Sequence, residues 1–385
     1  MMKKQIAFGA DGWCGVMGED FTDENVIRVA KAFAKFVTSI SAEQIKVAVG
    51  FDGRKDSKAF AGLVSKVLAA NNVKVIVSSD VVPTPLLSFA IQQNKCNSGI
   101  MVTGGHQLPQ YNGLRFKGAK GCPFSAKETK HVERSMSTSP IDRSETLPPE
   151  RISIEDFLPS YLSNLKTIVD FSLLRRYAEN PNNIASVLID SMGGAGRNIL
   201  EDIFVECGWR AQTIFGEPEP NFFDRSPEAI SENLDPLKYN VSVTDTSFGI
   251  ATDGDAGRCG IVCDNGEWMS AQNAALALFW HLWRQKKWSG GIVTAPSLTD
   301  AFRVLAEGWN AQIFQSLSEF SSVAEVMVNE QCSFAADGSG GFAFGKQVSD
   351  KDGILAGLLF AEMIAMSGKS LRDIVREIQK KMEER

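Results

Sequence analysis

The sequence of 385 residues lacks the features that would place it in several specialised classes of protein. It has seven cysteines, which are scattered, and no two of them form a CxxC pair. An odd number of dispersed cysteines argues against a disulfide scaffold, and a structural zinc site needs closer pairs of ligands. We therefore expect the cysteines to be reduced.

An excess of positive charge is also missing. Lys and Arg number 40 against 46 for Asp and Glu, which gives a formal net charge of -6. This balance provides no electrostatic basis for binding a phosphate backbone, so we expect no nucleic acid among the partners.

Long apolar runs are absent as well. The most apolar segments, 274–283 and 353–366, are shorter than the ~18 residues that a membrane-spanning helix needs. The charged start Met1-Met-Lys-Lys is not followed by the apolar core of a signal peptide. We expect a cytoplasmic protein that does not bind membranes.

The residues that are present indicate an ordinary globular protein, with 44% apolar and 22% charged residues. Short β-branched runs alternate with segments of helical periodicity, one of them predicted over 154–169, and this alternation is typical of βαβ units. The predicted fold class is therefore α/β, with mixed, mostly parallel sheets. The predicted divisions are domain I at 1–136, a Pro- and Ser-rich linker at 137–153, domain II at 154–264 and domain III at 265–385.

Four motifs stand in order along the chain: Phe8-Gly-Ala-Asp-Gly-Trp-Cys-Gly, Val102-Thr-Gly-Gly-His-Gln-Leu-Pro-Gln-Tyr-Asn-Gly, Ala251-Thr-Asp-Gly-Asp-Ala-Gly-Arg and Lys351-Asp-Gly-Ile-Leu-Ala-Gly. Together they resemble the α-D-phosphohexomutases, the family of phosphoglucomutase, phosphomannomutase and phosphoglucosamine mutase. The resemblance implies three consecutive α/β/α domains around a central cleft, followed in the family by a fourth domain that clamps the distal phosphate of the substrate.

The chemistry that this resemblance implies is phosphoryl transfer. In the family, a phosphoserine in a Thr-Ala/Gly-Ser-His-Asn-Pro loop donates its phosphate to a sugar phosphate. A magnesium ion held by three aspartates of Asp-Gly-Asp-x-Asp-Arg neutralises the transferring group.

This sequence departs from the family pattern at the catalytic positions. The phosphoserine position is Gly105, although His106 remains, and the lysine expected further along is Arg115, which stays protonated near neutral pH. Among the three metal positions, Asp253 and Asp255 are kept and the third is Gly257. We expect no cofactor, or weak Mg²⁺ binding by the two remaining carboxylates.

The substrate-binding positions are altered too. Arg258 is a candidate for anion binding, and the sugar-recognition loop expected as Gly-Glu-Glu-Ser-Gly is replaced by one that contains Asp337 and Ser339. The sequence ends at Arg385, where a fourth domain would begin, so we expect domain IV to be absent.

These departures lead to the hypothesis of a catalytically inactive phosphohexomutase-like protein. It would be a protein-binding scaffold or regulatory subunit with an unidentified protein partner, and a homodimer is one option. Two alternatives stay open. The chain could be a sensor that binds a phosphosugar without converting it, or a phosphoglucomutase/phosphomannomutase-type mutase completed by a separate polypeptide.

Overall fold

The computed structural model describes residues 6–40, 43–136, 149–317 and 319–384. In that part of the chain, three mixed sheets follow one another, each with helices packed against it. Seven of the strand pairs in the described ranges are parallel and five are antiparallel. The predicted α/β class with mixed, mostly parallel sheets is confirmed.

The first sheet has the strand order β1-β5-β4-β2-β3-β6, with β1 and β5 antiparallel to their neighbours. Its strands are β1 (Gly12–Val16), β2 (Lys46–Phe51), β3 (Lys74–Ser78), β4 (Ser98–Val102), β5 (Tyr111–Gly118) and β6 (Ile152–Glu155). The helices of this part are α1 (Asp23–Ser39), α2 (Ser57–Ala70), α3 (Thr84–Gln93) and α4 (Ala126–Arg134).

Strand β6 differs from the sequence prediction. Its residues were assigned partly to the linker and partly to a helix over 154–169, but they pair in parallel with β3 at the edge of the first sheet. Main-chain pairing holds this strand, since Ile154 is 73% exposed and contributes little to the core. Residues 137–148 of the predicted linker lie outside the described residues.

The second sheet has the order β11-β10-β9-β7-β8. Its strands are β7 (Ser186–Asp190), β8 (Arg210–Ile214), β9 (Phe248–Thr252), β10 (Cys259–Cys263) and β11 (Trp268–Met269). The accompanying helices are α5 (Leu158–Ile168), α6 (Phe171–Glu179), α7 (Ile199–Glu206) and α8 (Asp235–Val243).

The third sheet has the order β13-β12-β14-β15. Its strands are β12 (Gly290–Thr294), β13 (Ala311–Gln315), β14 (Phe334–Ala336) and β15 (Phe342–Phe344). The helices are α9 (Ala271–Trp280), which continues into a π-helical turn at His281–Gln285, α10 (Pro296–Ala306), α11 (Phe320–Asn329), α12 (Gly353–Ser367) and α13 (Leu371–Glu383).

Helix α12 is buried on nearly all of its faces and contributes to an apolar core shared with the second sheet. The Asp352 carboxylate caps its start by accepting a hydrogen bond from the Leu355 amide at 2.9 Å, and the Tyr161 hydroxyl donates to the same carboxylate at 2.8 Å. Within the described ranges, no single helix is long and apolar enough to cross a membrane. Only α12 and α13 taken together, with a bend of 81° between them, satisfy the length and composition requirements.

Candidate active site

The loop that follows β4 is held by the buried guanidinium of Arg54. This group donates hydrogen bonds to four main-chain carbonyl oxygens of the loop, those of Gly105 (2.6 Å), Gln107 (2.6 Å), Leu108 (2.9 Å) and Tyr111 (3.0 Å). Because the donors of a planar guanidinium have fixed directions, these bonds define the path of the loop. The loop that corresponds to the family's phosphoserine loop is therefore well ordered in this chain.

The carboxylate of Asp52, just after β2, anchors the same loop by hydrogen bonds. It accepts hydrogen bonds from Arg54 Nε at 3.1 Å and from the Thr103 hydroxyl at 2.6 Å. The Thr103 oxygen in turn accepts a hydrogen bond from the Gly105 amide at 2.8 Å. This buried chain of hydrogen bonds fixes the position of residue 105 relative to β2 and β4.

Gly105 lies in this loop with a φ of +59°, in the left-handed region. A Cβ atom built on it would have Asp255 Oδ2 as its nearest neighbour, at 3.9 Å, so the site has room for a side chain. A residue other than glycine would be strained there by ~1–2 kcal/mol. Crowding therefore does not explain why residue 105 has no side-chain oxygen.

The imidazole of His106, which follows, is half-buried and lines a cavity. Burial lowers the pKa of this imidazole to about 4, and the positive charges of Arg258 and Lys351 act in the same direction. The ring is therefore neutral at pH 7, and one of its nitrogens keeps a free lone pair.

The loop between β9 and β10 presents two carboxyl groups to the same cavity. Asp253 Oδ1 accepts a hydrogen bond from the Arg258 amide at 3.0 Å, and Asp255 Oδ2 accepts one from the Thr84 hydroxyl at 2.6 Å. Burial raises the pKa of Asp253 to about 7, and the negative charge of Asp255 adds to this effect. The pKa of Asp255 is lowered, because the charge of Lys351 and the hydrogen bond from Thr84 outweigh its burial.

These two loops touch across the cleft between the first two sheets. A Cβ atom on Gly254 would lie only 2.5 Å from the carbonyl oxygen of Gly105, so the approach requires glycine at position 254. The Thr84 amide at the start of α3 also donates to the Asp255 carbonyl oxygen at 2.9 Å. The loops of the first and second domains therefore form one continuous site.

Within the described residues, four cationic side chains converge on this site: Arg115, Lys117, Arg258 and Lys351. Two of them have close acidic partners, since Arg115 Nη1 lies 2.5 Å from Asp11 Oδ1 and Lys117 Nζ lies 2.6 Å from Asp350 Oδ2. The other two cations, Arg258 and Lys351, have no acidic partner this close among the described residues. Arg258 Nε lies 3.8 Å from Asp337 Oδ2 and has no hydrogen-bond acceptor in the described part of the chain.

The cavity between these groups has a volume of about 400 Å³. Of the predicted site residues, Gly105, His106, Arg115, Asp253, Asp255 and Arg258 all line it. Charged groups from all three domains therefore surround a space large enough for a small polar ligand.

Two predicted substrate-binding residues do not line this cavity. Asp337 is buried, and its Oδ1 accepts hydrogen bonds from the amides of Ser339 and Gly341, each at 2.8 Å. Ser339 is exposed, and its hydroxyl donates to the same oxygen at 2.9 Å. The carboxylate of Asp337 thus accepts hydrogen bonds within its own turn. A role of Asp337 and Ser339 in sugar binding stays a prediction.

Lys117 and Lys351 are the cationic cavity residues that the sequence reasoning missed. Lys117 lies two positions after Arg115 on β5, and residues at that spacing share one face of a strand. Lys351 begins one of the four motifs that carry the family resemblance, but the motif gives this lysine no role in the site. The strand spacing could have predicted that Lys117 faces the cavity, whereas the position of Lys351 becomes visible only in the folded structure.

The residues present do not fit the magnesium site with three carboxylates that the resemblance implies. In the described part of the chain, no group of three or more His, Cys, Asp or Glu side chains is placed to hold a metal ion. One oxygen of Asp253 and one of Asp255 already accept hydrogen bonds, and the third position is Gly257. Weak Mg²⁺ binding is compatible with this donor set, and the expectation that no cofactor is needed stays a prediction.

Models of known protein families match three consecutive stretches of the chain. The phosphoglucomutase/phosphomannomutase α/β/α domain I model matches residues 5–140, the domain II model matches 159–266, and the domain III model matches 271–382.

Relatives in other organisms match almost the full sequence. A protein of Methanobrevibacter smithii assigned as a phosphoglucosamine mutase is 28% identical over 376 residues, which are 96% of this chain and 78% of the relative. A phosphoglucomutase/phosphomannomutase of Thermococcus kodakarensis is 24% identical over 373 residues, which are 97% of this chain and 80% of that protein.

The hypothesis of a catalytically inactive scaffold or regulatory subunit is wrong in the light of these relatives, which are assigned as mutases. That hypothesis inferred from the changes at Gly105, Gly257 and Arg115 that the catalytic site is lost. The structure shows what that hypothesis overlooked. The loop that contains Gly105 is hydrogen-bonded by Arg54, and several cationic side chains line the cavity next to it.

A solved structure, assigned as a phosphomannomutase from Thermus thermophilus, has a TM-score of 0.92 and 30% sequence identity to this chain. The match covers 99% of this chain and 85% of the Thermus chain. It confirms the three-domain fold that the sequence motifs implied. Together with the three domain matches, this similarity shows that the chain belongs to the phosphoglucomutase/phosphomannomutase family, the α-D-phosphohexomutases.

Proposed function

We propose that this protein binds a hexose phosphate in the cavity and acts as a phosphohexomutase-type phosphotransferase. The observation that carries this proposal is the convergence of Arg115, Lys117, Arg258 and Lys351 on a cavity of about 400 Å³. Guanidinium and ammonium groups are the usual protein ligands of phosphate oxygens. The activities assigned to the relatives give the class of reaction.

Arg258 and Lys351 are the cations best able to contact the phosphate. Arg115 and Lys117 already have carboxylates at 2.5 Å and 2.6 Å, so a phosphate would have to compete with those partners. The ion pair of Arg258 with Asp337 is looser, at 3.8 Å, and the Arg258 side chain is 15% exposed. A guanidinium held in this way can bind a phosphate oxygen without first breaking a short ion pair.

The phosphoryl acceptor must differ from the family's serine because Gly105 has no side-chain oxygen. In this proposal the acceptor is the neutral imidazole of His106, which lies on the cavity wall close to the cationic groups. A ring nitrogen forms a bond to phosphorus while the bond from phosphorus to the sugar oxygen breaks. The sugar oxygen gains a proton and the other ring nitrogen loses one. When the donor is the sugar bisphosphate, this step leaves His106 phosphorylated and releases a monophosphate. The phosphohistidine then transfers its phosphoryl group to the free hydroxyl of a bound monophosphate, and the resulting bisphosphate returns its other phosphate to His106, which leaves the isomeric monophosphate.

The experiment uses protein purified from a host that lacks its own mutases. Interconversion of the 1- and 6-phosphates of glucose, mannose and glucosamine is followed with the matching sugar bisphosphate as activator. We expect turnover, and a protein-bound phosphate that is labile in acid and stable in alkali, as phosphohistidine is. His106→Asn should abolish both. Turnover that persists in His106→Asn would show that another group accepts the phosphate.

Binding is measured separately by calorimetry with glucose 1-phosphate. Arg258→Met should weaken binding about tenfold or more, because it removes a charge-assisted contact. The matched control is Arg303→Met, since Arg303 is 58% exposed and, in the described part of the chain, forms its ion pair with the exposed Asp300. If none of the three sugar phosphates binds the wild-type protein or is converted by it, the proposal is overturned.

Gly105 favours a second candidate function, in which the chain binds a phosphosugar without converting it. In that case calorimetry would detect binding that depends on Arg258, while no isomerisation and no protein-bound phosphate would be found. The two measurements together therefore decide between conversion of the sugar and binding alone.

A further inference from the structure

The side chain of Lys351 packs beside Gly257, the position of the family's third metal carboxylate. A Cβ atom built on Gly257 would be 3.7 Å from Lys351 Cε, 3.8 Å from Lys351 Cβ and 3.4 Å from Asp255 Oδ1. The lysine stem therefore packs along the open face of Gly257, next to the acidic loop. The glycine both removes a carboxylate and exposes the loop to this side chain.

The backbone on both sides of Lys351 is anchored. The Asp350 carboxylate contacts Lys117 Nζ and the Ser88 hydroxyl, each at 2.6 Å, and accepts a hydrogen bond from the Lys351 amide at 2.9 Å. On the other side, Asp352 caps helix α12. The base of the lysine side chain is thus fixed relative to the first domain and to the helix.

The path of the side chain is restricted as well. A Cβ atom on Gly341 would lie 2.6 Å from Lys351 Cδ, so glycine at position 341 leaves space for the stem. The ammonium lies 5.2 Å from the ring centroid of Phe320, which also lines the cavity. Packing therefore directs the ammonium into the cavity.

The charge of Lys351 is available to the acidic loop. In the ranges that the structure describes, Lys351 Nζ makes no ion pair, whereas Lys117 and Arg115 each have one. Its positive charge favours the ionised forms of both Asp253 and Asp255 and is the leading influence that opposes burial at Asp255.

We propose that the ammonium of Lys351 takes the electrostatic place of the divalent cation in this protein, so that it balances Asp253 and Asp255 and binds the phosphoryl group. The inference rests on the proposed binding of a sugar phosphate. It implies that binding of this ligand does not need Mg²⁺.

The first experiment measures glucose 1-phosphate binding by calorimetry, with EDTA and with millimolar Mg²⁺. We expect the wild-type affinity to be the same in both conditions. Lys351→Met should weaken binding about tenfold or more, and Lys351→Arg should retain most of it. Lys127→Met, at an exposed position of α4, is the matched control. Wild-type affinity that rises about tenfold with Mg²⁺, or an unchanged Lys351→Met, would overturn the inference.

The second experiment does not depend on the sugar phosphate. Gly257→Asp combined with Lys351→Met should create Mg²⁺ binding, detected by calorimetry with the metal alone, whereas Gly257→Asp in the presence of Lys351 should bind Mg²⁺ much more weakly. The contacts at a Cβ on Gly257, at 3.4 Å or more, allow this substitution without overlap. Equal Mg²⁺ affinities of the two folded variants would refute the placement of Lys351. If no protein bound glucose 1-phosphate, the proposed function would fail, while this metal test would still decide whether Lys351 takes the place of the cation beside Asp253 and Asp255.

Discussion

Replacement of Arg54 by methionine tests the claim that one guanidinium orders the loop after β4. Methionine keeps a long unbranched chain but removes the charge and every donor. Asp52 would then be left buried without its cation, and four loop carbonyl oxygens would lose their hydrogen bonds. Both Arg54 and Asp52 side chains are 0% exposed, so water cannot replace these contacts unless the loop opens.

The size of the effect follows from these contacts. Removal of one partner from a buried ion pair costs ~3–5 kcal/mol, and an unsatisfied buried carbonyl costs ~1–3 kcal/mol if the loop stays closed. Opening of the loop would relieve the carbonyls, so we expect the free energy of unfolding to fall by ~4–6 kcal/mol. That is a large part of the ~5–15 kcal/mol that stabilises a typical protein.

The assay combines urea denaturation with amide hydrogen exchange of residues 103–113. We expect Arg54→Met to unfold at a lower urea concentration and the loop amides to lose their protection. Arg54→Lys keeps the charge but not the planar set of donors, so its stability should lie between those of the wild type and Arg54→Met. Arg303→Met, which breaks an exposed ion pair, should change stability by less than ~1 kcal/mol. An Arg54→Met protein with unchanged stability and a protected loop would refute this reasoning.

Three further changes test other parts of the structure. Gly104→Ala should lower stability by ~1–3 kcal/mol in urea denaturation, because its Cβ would lie 2.8 Å from Arg54 Cζ. Glu362→Gln should lower the melting temperature clearly, because it leaves Lys286 without the carboxylate that lies 2.6 Å from its Nζ. Burial raises the pKa of Asp352 to about 6, so its ionisation destabilises the folded state as pH rises from about 4 to about 6. Asp352→Asn should remove this dependence. The unfolding free energy of the wild type minus that of the variant should therefore be ~2 kcal/mol larger at pH 4 than at pH 8; equal differences would contradict it.

The sequence was sufficient to predict the α/β class because its signals are local. Alternating β-branched runs and helical periods predict the sheets, and the order of four motifs predicts the family. Strand β6 was missed for a physical reason. It lies at a sheet edge, is held by main-chain hydrogen bonds to β3 and leaves Ile154 largely exposed. Its side-chain pattern therefore does not indicate that it pairs as a strand.

The candidate site was predictable only where its residues share a motif. Gly105, His106, Asp253 and Asp255 could be located from the loops that carry them. The contact between Gly257 and Lys351 could not, because it joins two loops that are distant in the sequence and meet only after the second and third domains pack together. The hypothesis of an inactive scaffold had the same origin, since the altered residues do not reveal from the sequence which groups the fold places beside them.

The departures from the family pattern become mutually consistent when they are considered as one arrangement. The family resemblance implies that the magnesium ion held by three aspartates neutralises the phosphate carried by the phosphoserine, so a change of the metal site alone would leave that phosphate without its counterion. Here Gly105 lacks that oxygen, Gly257 lacks the third carboxylate, and Lys351 packs against the position that the carboxylate would occupy. The imidazole of His106 is neutral and needs no cation before it reacts. An ammonium is therefore a sufficient counterion for the phosphoryl group in the proposed reaction, whereas it would be a poor substitute in a site that retained a phosphoserine and three aspartates.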